Sequence, residues 1–75
     1  MGNAINTTRD YLLAGNVPKG YTQSDMWYCA HWFGELLGSK DKTCNVFEEK
    51  SAKFFKSMGF RVIPCSFIGW RVSVK

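Results

Sequence analysis

The stretch FKSMGFRVIP, residues 55–64, contains the point at which the spacing of hydrophobic residues changes from helical to alternating. Before Gly59, apolar residues recur every three or four positions, as one side of a helix requires. After Gly59, Phe60 and Val62 lie on one side of an extended chain while Arg61 and Ile63 lie on the other, and residues 70–75 alternate in the same way. Helices followed by two short strands predict an α+β fold.

The N-terminal part of the chain predicts a short helix and then a loop. Thr7 and Asp10 have the spacing of a capping box, and Gly15 is a typical residue after a helix C-terminus. We therefore expect a first helix over residues 8–14. Residues 15–20 contain two glycines and a proline, which do not continue a helix, so they predict a loop.

Two longer helices are expected next. The second opens at Thr22 or Ser24 and ends at Gly38. The third covers residues 46–58, because Asn45 and Glu48 form a variant of the capping box before it. A C-terminal antiparallel β-hairpin follows, with its connection at about residues 65–69. We expect residues 1–75 to form one small domain, since this length supports only one hydrophobic core.

The second helix has two different sides when it is drawn at about 100° per residue. One side predicts core residues: Met26, Cys29, Ala30, Phe33, Leu36 and Leu37. The other side carries Trp27, Tyr28, His31 and Glu35, with Trp32 at the border. Two interpretations stay open. Either the first helix and the loop after it cover these aromatic residues, or the residues form a binding surface.

The third helix is predicted to be amphipathic. Its apolar side contains Phe47, Ser51, Phe54, Phe55 and Met58, and its charged side contains Glu49, Lys50, Lys53 and Lys56. Glu49 and Lys53 have the spacing of a favourable ion pair on a helix. The formal net charge of +4 adds a weak attraction to anionic partners.

The cysteine and histidine residues do not have the arrangement of a catalytic or metal site. Cys29 and His31 are two residues apart, hence about 200° apart on a helix, and cannot face one ion or form a nucleophile pair. We expect no metal, no cofactor and no enzymatic activity. The three cysteines are an odd number without close spacing, and the sequence has no signal peptide or membrane span. These features predict a cytoplasmic protein with unpaired thiols.

The order of helices followed by a hairpin resembles the winged-helix DNA binders over residues 22–75. That resemblance implies a nucleic-acid-binding module in which the third helix enters the major groove and the hairpin contacts the backbone. The residues facing the groove would be Lys50, Lys53 and Lys56. The phosphate contacts would come from Arg61, Arg71 and Lys75.

The leading hypothesis from the sequence is a non-catalytic protein-binding domain. Its contact residues would be Trp27, Tyr28, His31 and Trp32, with Glu35 beside them, because Trp and Tyr bury much area at a small entropy cost. The small size and the lack of a catalytic arrangement are compatible with an inhibitor that occludes a site on a larger machine, as small phage or mobile-element inhibitors, including anti-CRISPR proteins, do. Nucleic-acid binding is the alternative, and the sequence leaves the oligomeric state open.

Overall fold

The first helix begins earlier than the sequence signals predicted. The computed structural model describes residues 3–65 and 69–74, and in it α1 covers Ala4–Leu13. Asn3 is the N-cap: its side-chain oxygen accepts hydrogen bonds from the backbone N–H groups of Ile5 and Asn6, at 3.0 and 3.2 Å. The predicted cap at Thr7 and the predicted helix start at residue 8 are therefore wrong. The longer helix brings Ala4 and Ile5 against the core, which a start at residue 8 would not do.

The second helix, α2, covers Gln23–Gly38 and begins as predicted. The Thr22 hydroxyl accepts a hydrogen bond from the backbone N–H of Asp25 at 3.2 Å, and the Asp25 carboxylate accepts one from the backbone N–H of Thr22 at 2.9 Å. This backbone hydrogen bond is the main reason why the pKa of Asp25 is lowered. The reciprocal pair satisfies donors that a helix N-terminus otherwise leaves free.

A strand that the sequence did not predict lies between α2 and the third helix. The strand β1 covers Thr43–Val46, and α3 then covers Glu49–Ser57, with Glu48 as a cap residue whose side chain makes no capping hydrogen bond. The predicted capping box of Asn45 and Glu48 is wrong, because Asn45 is an exposed residue of β1. The predicted helix start at residue 46 is wrong for the same reason. Since β1 separates α2 from α3, these helices are not joined by the short turn of a helix-turn-helix unit.

The three strands form one antiparallel sheet. The strand β2 covers Arg61–Pro64 and β3 covers Trp70–Ser73, and their order in the sheet is β1-β3-β2. Val72 of β3 lies opposite Cys44 of β1 and Val62 of β2. The predicted α+β class is confirmed, whereas the isolated C-terminal hairpin is replaced by this three-stranded sheet. Residues 66–68 of the expected connection lie outside the described residues.

The core lies between the sheet and the helices. Its buried apolar residues are Met26, Cys29, Phe33, Leu36, Val46, Ala52, Phe54, Phe55, Phe60 and Val72. The ring of Phe54 packs against Phe55 at 5.4 Å and against Tyr11 of α1 at 5.7 Å between centroids. Three predicted core residues are not buried, because Ala30 and Leu37 lie on the open side of α2 and Phe47 precedes α3.

The opposite face of the sheet is not covered by any described helix. Side chains alternate along a strand, so the residues beside Val72 and Val62 point away from the core. This outer sheet face carries Thr43, Asn45, Arg61, Ile63, Arg71 and Ser73. Within the described ranges, none of the helices combines the length and apolar character that a membrane crossing needs.

Candidate binding surface

The structure leaves the aromatic side of α2 open. Trp27 is 70% exposed and Tyr28 is 51% exposed, and His31 and Glu35 are exposed as well. We call Trp27, Tyr28 and His31 the aromatic face. The sequence allowed α1 or the following loop to cover these residues, and this exposure answers that question: the aromatic face is open to solvent.

The other side of the same helix explains why the aromatic face must point outward. Met26, Cys29, Phe33 and Leu36 are all buried, and they occupy the side of α2 that packs on β1 and α3. With that side fixed by the core, the helical period of 3.6 residues directs Trp27 and His31 into solvent. Ser24 lies with the aromatic face around a shallow depression. Its lining combines aromatic rings with a hydroxyl and an imidazole, a composition typical of protein interfaces.

Trp32 belongs to the framework beside the aromatic face. Its indole N–H donates a hydrogen bond of 2.6 Å to the Glu48 carboxylate, and the Ser51 hydroxyl donates to the same carboxylate oxygen at 3.3 Å. The Trp32 ring also contacts His31 and Phe47 edge-on, at 4.8 and 5.5 Å between centroids. Trp32 is half-buried and ties α2 to the segment before α3, which confirms its predicted border position.

Phe47 is an exposed aromatic residue that the sequence reasoning missed. It is 54% exposed and packs over Gly69, where an added Cβ would collide with the Phe47 ring and the Val46 carbonyl. The sequence placed Phe47 in the core because the third helix was expected to begin one residue before it. The signal that could have found it is the absence of any apolar partner four residues later, since Ser51 occupies that position.

The predicted basic residues do not form one surface. Lys50 donates hydrogen bonds to the Gly20 carbonyl and to the Asp25 carboxylate, the latter at 3.2 Å, and its ammonium lies 5.4 Å from the Tyr21 ring centroid. Lys50 therefore holds the loop before α2 onto α3. Lys53 pairs with Glu49 at 3.6 Å, as the sequence predicted.

The two arginines lie elsewhere. Arg61 and Arg71 are on the outer sheet face, on the opposite side of the sheet from α3 with Lys53 and Lys56. Arg61 pairs with Ser73, and Ile63 pairs with Arg71, so the two arginines are diagonal neighbours on adjacent strands. Lys75 lies outside the described residues.

Two of the three thiols, those of Cys29 and Cys44, are placed where they are poor nucleophiles. Cys29 is fully buried, and burial raises its pKa to about 11. Burial also raises the pKa of Cys44 to about 11. Both thiols are therefore protonated near neutral pH, and the thiolate is the reactive form. Cys29 points into the core while His31 is exposed, so the predicted opposite directions of these two residues are confirmed. No cluster of three metal-ligating side chains occurs among residues 3–65 and 69–74.

Comparison with known proteins does not add a family to this picture. No protein-family model, no curated protein and no solved structure matches the chain. The function is therefore inferred from the surfaces that the fold exposes.

Proposed function

We propose that this chain is a non-catalytic protein-binding domain that contacts its partner through the aromatic face of α2. The observation that carries the proposal is the 70% exposure of Trp27, beside a half-exposed Tyr28, on a helix whose other side is fully used by the core. Leaving this apolar area in water gives no benefit to the isolated chain, whereas burial in an interface releases about 25 cal/mol per Å2.

The chemistry of the face supports an interface more than a small-molecule pocket. Ligand pockets enclose most of the surface of their ligand, but the depression around Trp27 and Tyr28 is shallow and open. Tyr28 and His31 add polar atoms at the edge of the apolar area, which is the usual composition of a binding hot spot and its rim. We propose that the domain acts by occupying this partner surface and blocking its other interactions, as small inhibitor proteins do.

A pull-down from a nuclease-treated lysate of the native host tests the proposal. Tagged parent protein is compared with Trp27→Ala, and with Lys56→Ala as a matched control at an exposed position on another helix. A protein captured by the parent and by Lys56→Ala, but not by Trp27→Ala, is the expected result. Equal capture by all three chains would exclude the aromatic face as the binding surface.

Nucleic-acid binding is a second candidate, and the outer sheet face favours it. Arg61 and Arg71 are diagonal neighbours there, and no carboxylate of the described residues lies within ion-pair distance of either one. Unpaired arginines attract phosphate groups, and each phosphate contact lowers the slope of log affinity against log salt by about one unit. Loss of nucleic-acid affinity in Arg61→Gln with Arg71→Gln, together with a shallower salt slope, is the expected result for this candidate. Unchanged affinity would exclude it.

A further inference from the structure

The exposed side of α2 is wider than the aromatic face and contains small residues between the large ones. We call Trp27, Ala30, His31, Gly34, Glu35 and Gly38 the outer surface of α2. At about 100° per residue these positions share an arc of about 140°, a width suited to packing against another helix. All six residues are exposed.

Neither the backbone conformation nor the packing of the chain requires glycine at the two glycine positions of this surface. Neither Gly34 nor Gly38 has a positive φ, and a Cβ added at either position would meet nothing within 4 Å. Glycine inside a helix is less favourable than alanine or a longer polar residue. Small residues at a helix surface do, however, allow a second helix to approach closely.

The polar groups of the outer surface complement each other after a two-fold rotation, because an imidazole N–H donates a hydrogen bond to a carboxylate. His31 and Glu35 are its two ionisable groups, and they lie four residues apart on the same arc. If two copies of α2 cross antiparallel with the axis near residue 33, His31 of one copy faces Glu35 of the other. Each copy supplies one such pair, because an interface with two-fold symmetry uses every contact twice.

The shape of the surface complements itself about the same axis. Trp27 of one copy then lies over Gly38 of the other, and Ala30 lies opposite Gly34. The midpoints of these pairs and of the His31–Glu35 pair fall at residue 32, at residue 33 or between them. A single axis therefore matches the largest side chain to a position without a side chain and each imidazole to a carboxylate.

We infer that the outer surface of α2 binds a second copy of this chain, forming an antiparallel homodimer that competes with the partner. This inference rests on the proposed function, since it names a regulation of the same surface. The dimer buries Trp27, so a copy bound to its partner is not available for the dimer. The partner must displace one copy from the other.

The exposed area predicts a weak dimer. Trp27 is 70% exposed, and a full aromatic side chain buries at most about 250 Å2, so Trp27 exposes about 175 Å2. Even with the five other residues of the outer surface, each copy contributes less than the roughly 800 Å2 per partner of standard stable interfaces. We expect a dissociation constant of about 100 μM.

Sedimentation equilibrium of the full chain under reducing conditions tests the dimer. The protein concentration is varied between about 10 μM and about 1 mM, a range that brackets the expected dissociation constant. The parent is expected to shift from monomer to dimer over this range. Gly34→Gln is expected to raise the dissociation constant at least tenfold while its melting temperature stays equal or rises, since glutamine favours a helix more than glycine does. Lys56→Gln, at an exposed position on α3, is the matched control and keeps the dimer. A monomeric parent at 1 mM, or an unchanged dimer in Gly34→Gln, overturns the inference.

A charge exchange tests the antiparallel pairing directly. His31→Glu alone places two carboxylates at each contact, and Glu35→Lys alone places a lysine beside a histidine, so each variant is expected to be monomeric. An equal mixture restores a carboxylate opposite a lysine at one contact and opposite an imidazole at the other, and is expected to form a heterodimer. A mixture that stays monomeric while the parent dimerises contradicts this pairing.

The two proposals fail separately. Dimerisation is measured with purified protein alone, whereas the proposed function is measured by capture of a different protein. If the parent chain is monomeric and captures a partner that Trp27→Ala does not capture, the homodimer is overturned and the proposed function stands. If the parent chain dimerises, and the parent and Trp27→Ala capture a partner equally well, the proposed function is overturned and the homodimer stands.

Discussion

Opposite sides of α2 are expected to respond very differently to loss of an aromatic ring. Phe33 is 6% exposed and packs in the core, so Phe33→Ala removes a filled core site and costs about 3–5 kcal/mol of unfolding free energy. Trp27 is 70% exposed, so less than a third of its area, about 75 Å2, is buried by the chain itself. At about 25 cal/mol per Å2 this contributes at most about 2 kcal/mol.

The net cost of Trp27→Ala is smaller than that upper value. Alanine favours a helix more than tryptophan does by about 0.5 kcal/mol, which offsets part of the lost burial. We therefore expect a loss of about 1 kcal/mol for Trp27→Ala. A domain of 75 residues has a total stability of about 4–11 kcal/mol, so Phe33→Ala removes from about a quarter to all of it, whereas Trp27→Ala leaves at least about three quarters.

Urea unfolding followed by circular dichroism measures both values without depending on tryptophan fluorescence. Equal losses of stability in Phe33→Ala and Trp27→Ala would refute the assignment of the two sides of α2. Phe54→Ala, at a residue that is 1% exposed, serves as a second core reference with an expected loss of about 3–5 kcal/mol.

Three further predictions concern residues that lie outside the aromatic face. Thr8 is fully buried, and its hydroxyl has no hydrogen-bond partner among the described residues. Thr8→Val is therefore expected to raise the unfolding free energy by about 1 kcal/mol. A decrease of similar size would show that the hydroxyl does have a hydrogen-bond partner. Glu48→Ala leaves the Trp32 indole N–H without its acceptor and is expected to cost about 2 kcal/mol by urea unfolding, and a neutral result would contradict that role. Burial raises the pKa of Cys29 and Cys44 from 9.0 to about 11 in the folded chain. The unfolded chain therefore loses these protons first. The contribution of the two thiols to the unfolding free energy is expected to be fully present below pH 9 and to be lost as the pH rises from 9 to 11. The decline measured by urea unfolding should be shallower in Cys29→Ala, and an identical decline would contradict the assignment.

The parts of the fold that depend on local chemistry were predictable from the sequence. Thr22 and Asp25 form their capping box within four consecutive residues, so the start of α2 follows from the sequence alone. The alternation around Val62 and Val72 likewise predicted two strands.

The strand β1 was not predictable in this way. Its four residues include the polar Thr43 and Asn45, and its pairing partner β3 begins more than 20 residues later. Strand pairing at this separation is decided by tertiary contacts and not by local preference. The Asn45 and Glu48 spacing imitated a capping box, although Glu48 instead accepts hydrogen bonds from Trp32 and Ser51.

The candidate site shows the same division. The period of α2 predicted that Trp27 and His31 share one side, since this depends only on helix geometry. Whether α1 covers that side depends on how the helices pack, which the sequence left open. The separation of Lys50 from Arg61 was also unpredictable, because it follows from the contacts of Lys50 with Gly20 and Asp25.

The affinity of the captured partner for Trp27→Ala, compared with Lys53→Ala combined with Lys56→Ala, tests the central claim most directly. By calorimetry and association kinetics, Trp27→Ala is expected to weaken binding by at least about 2 kcal/mol, or about thirtyfold, mainly through faster dissociation. The lysine variant is expected to change mainly the association rate and its salt dependence. A Trp27→Ala chain that is folded and binds its partner with the affinity of the parent would contradict the claim that the aromatic face is the binding surface.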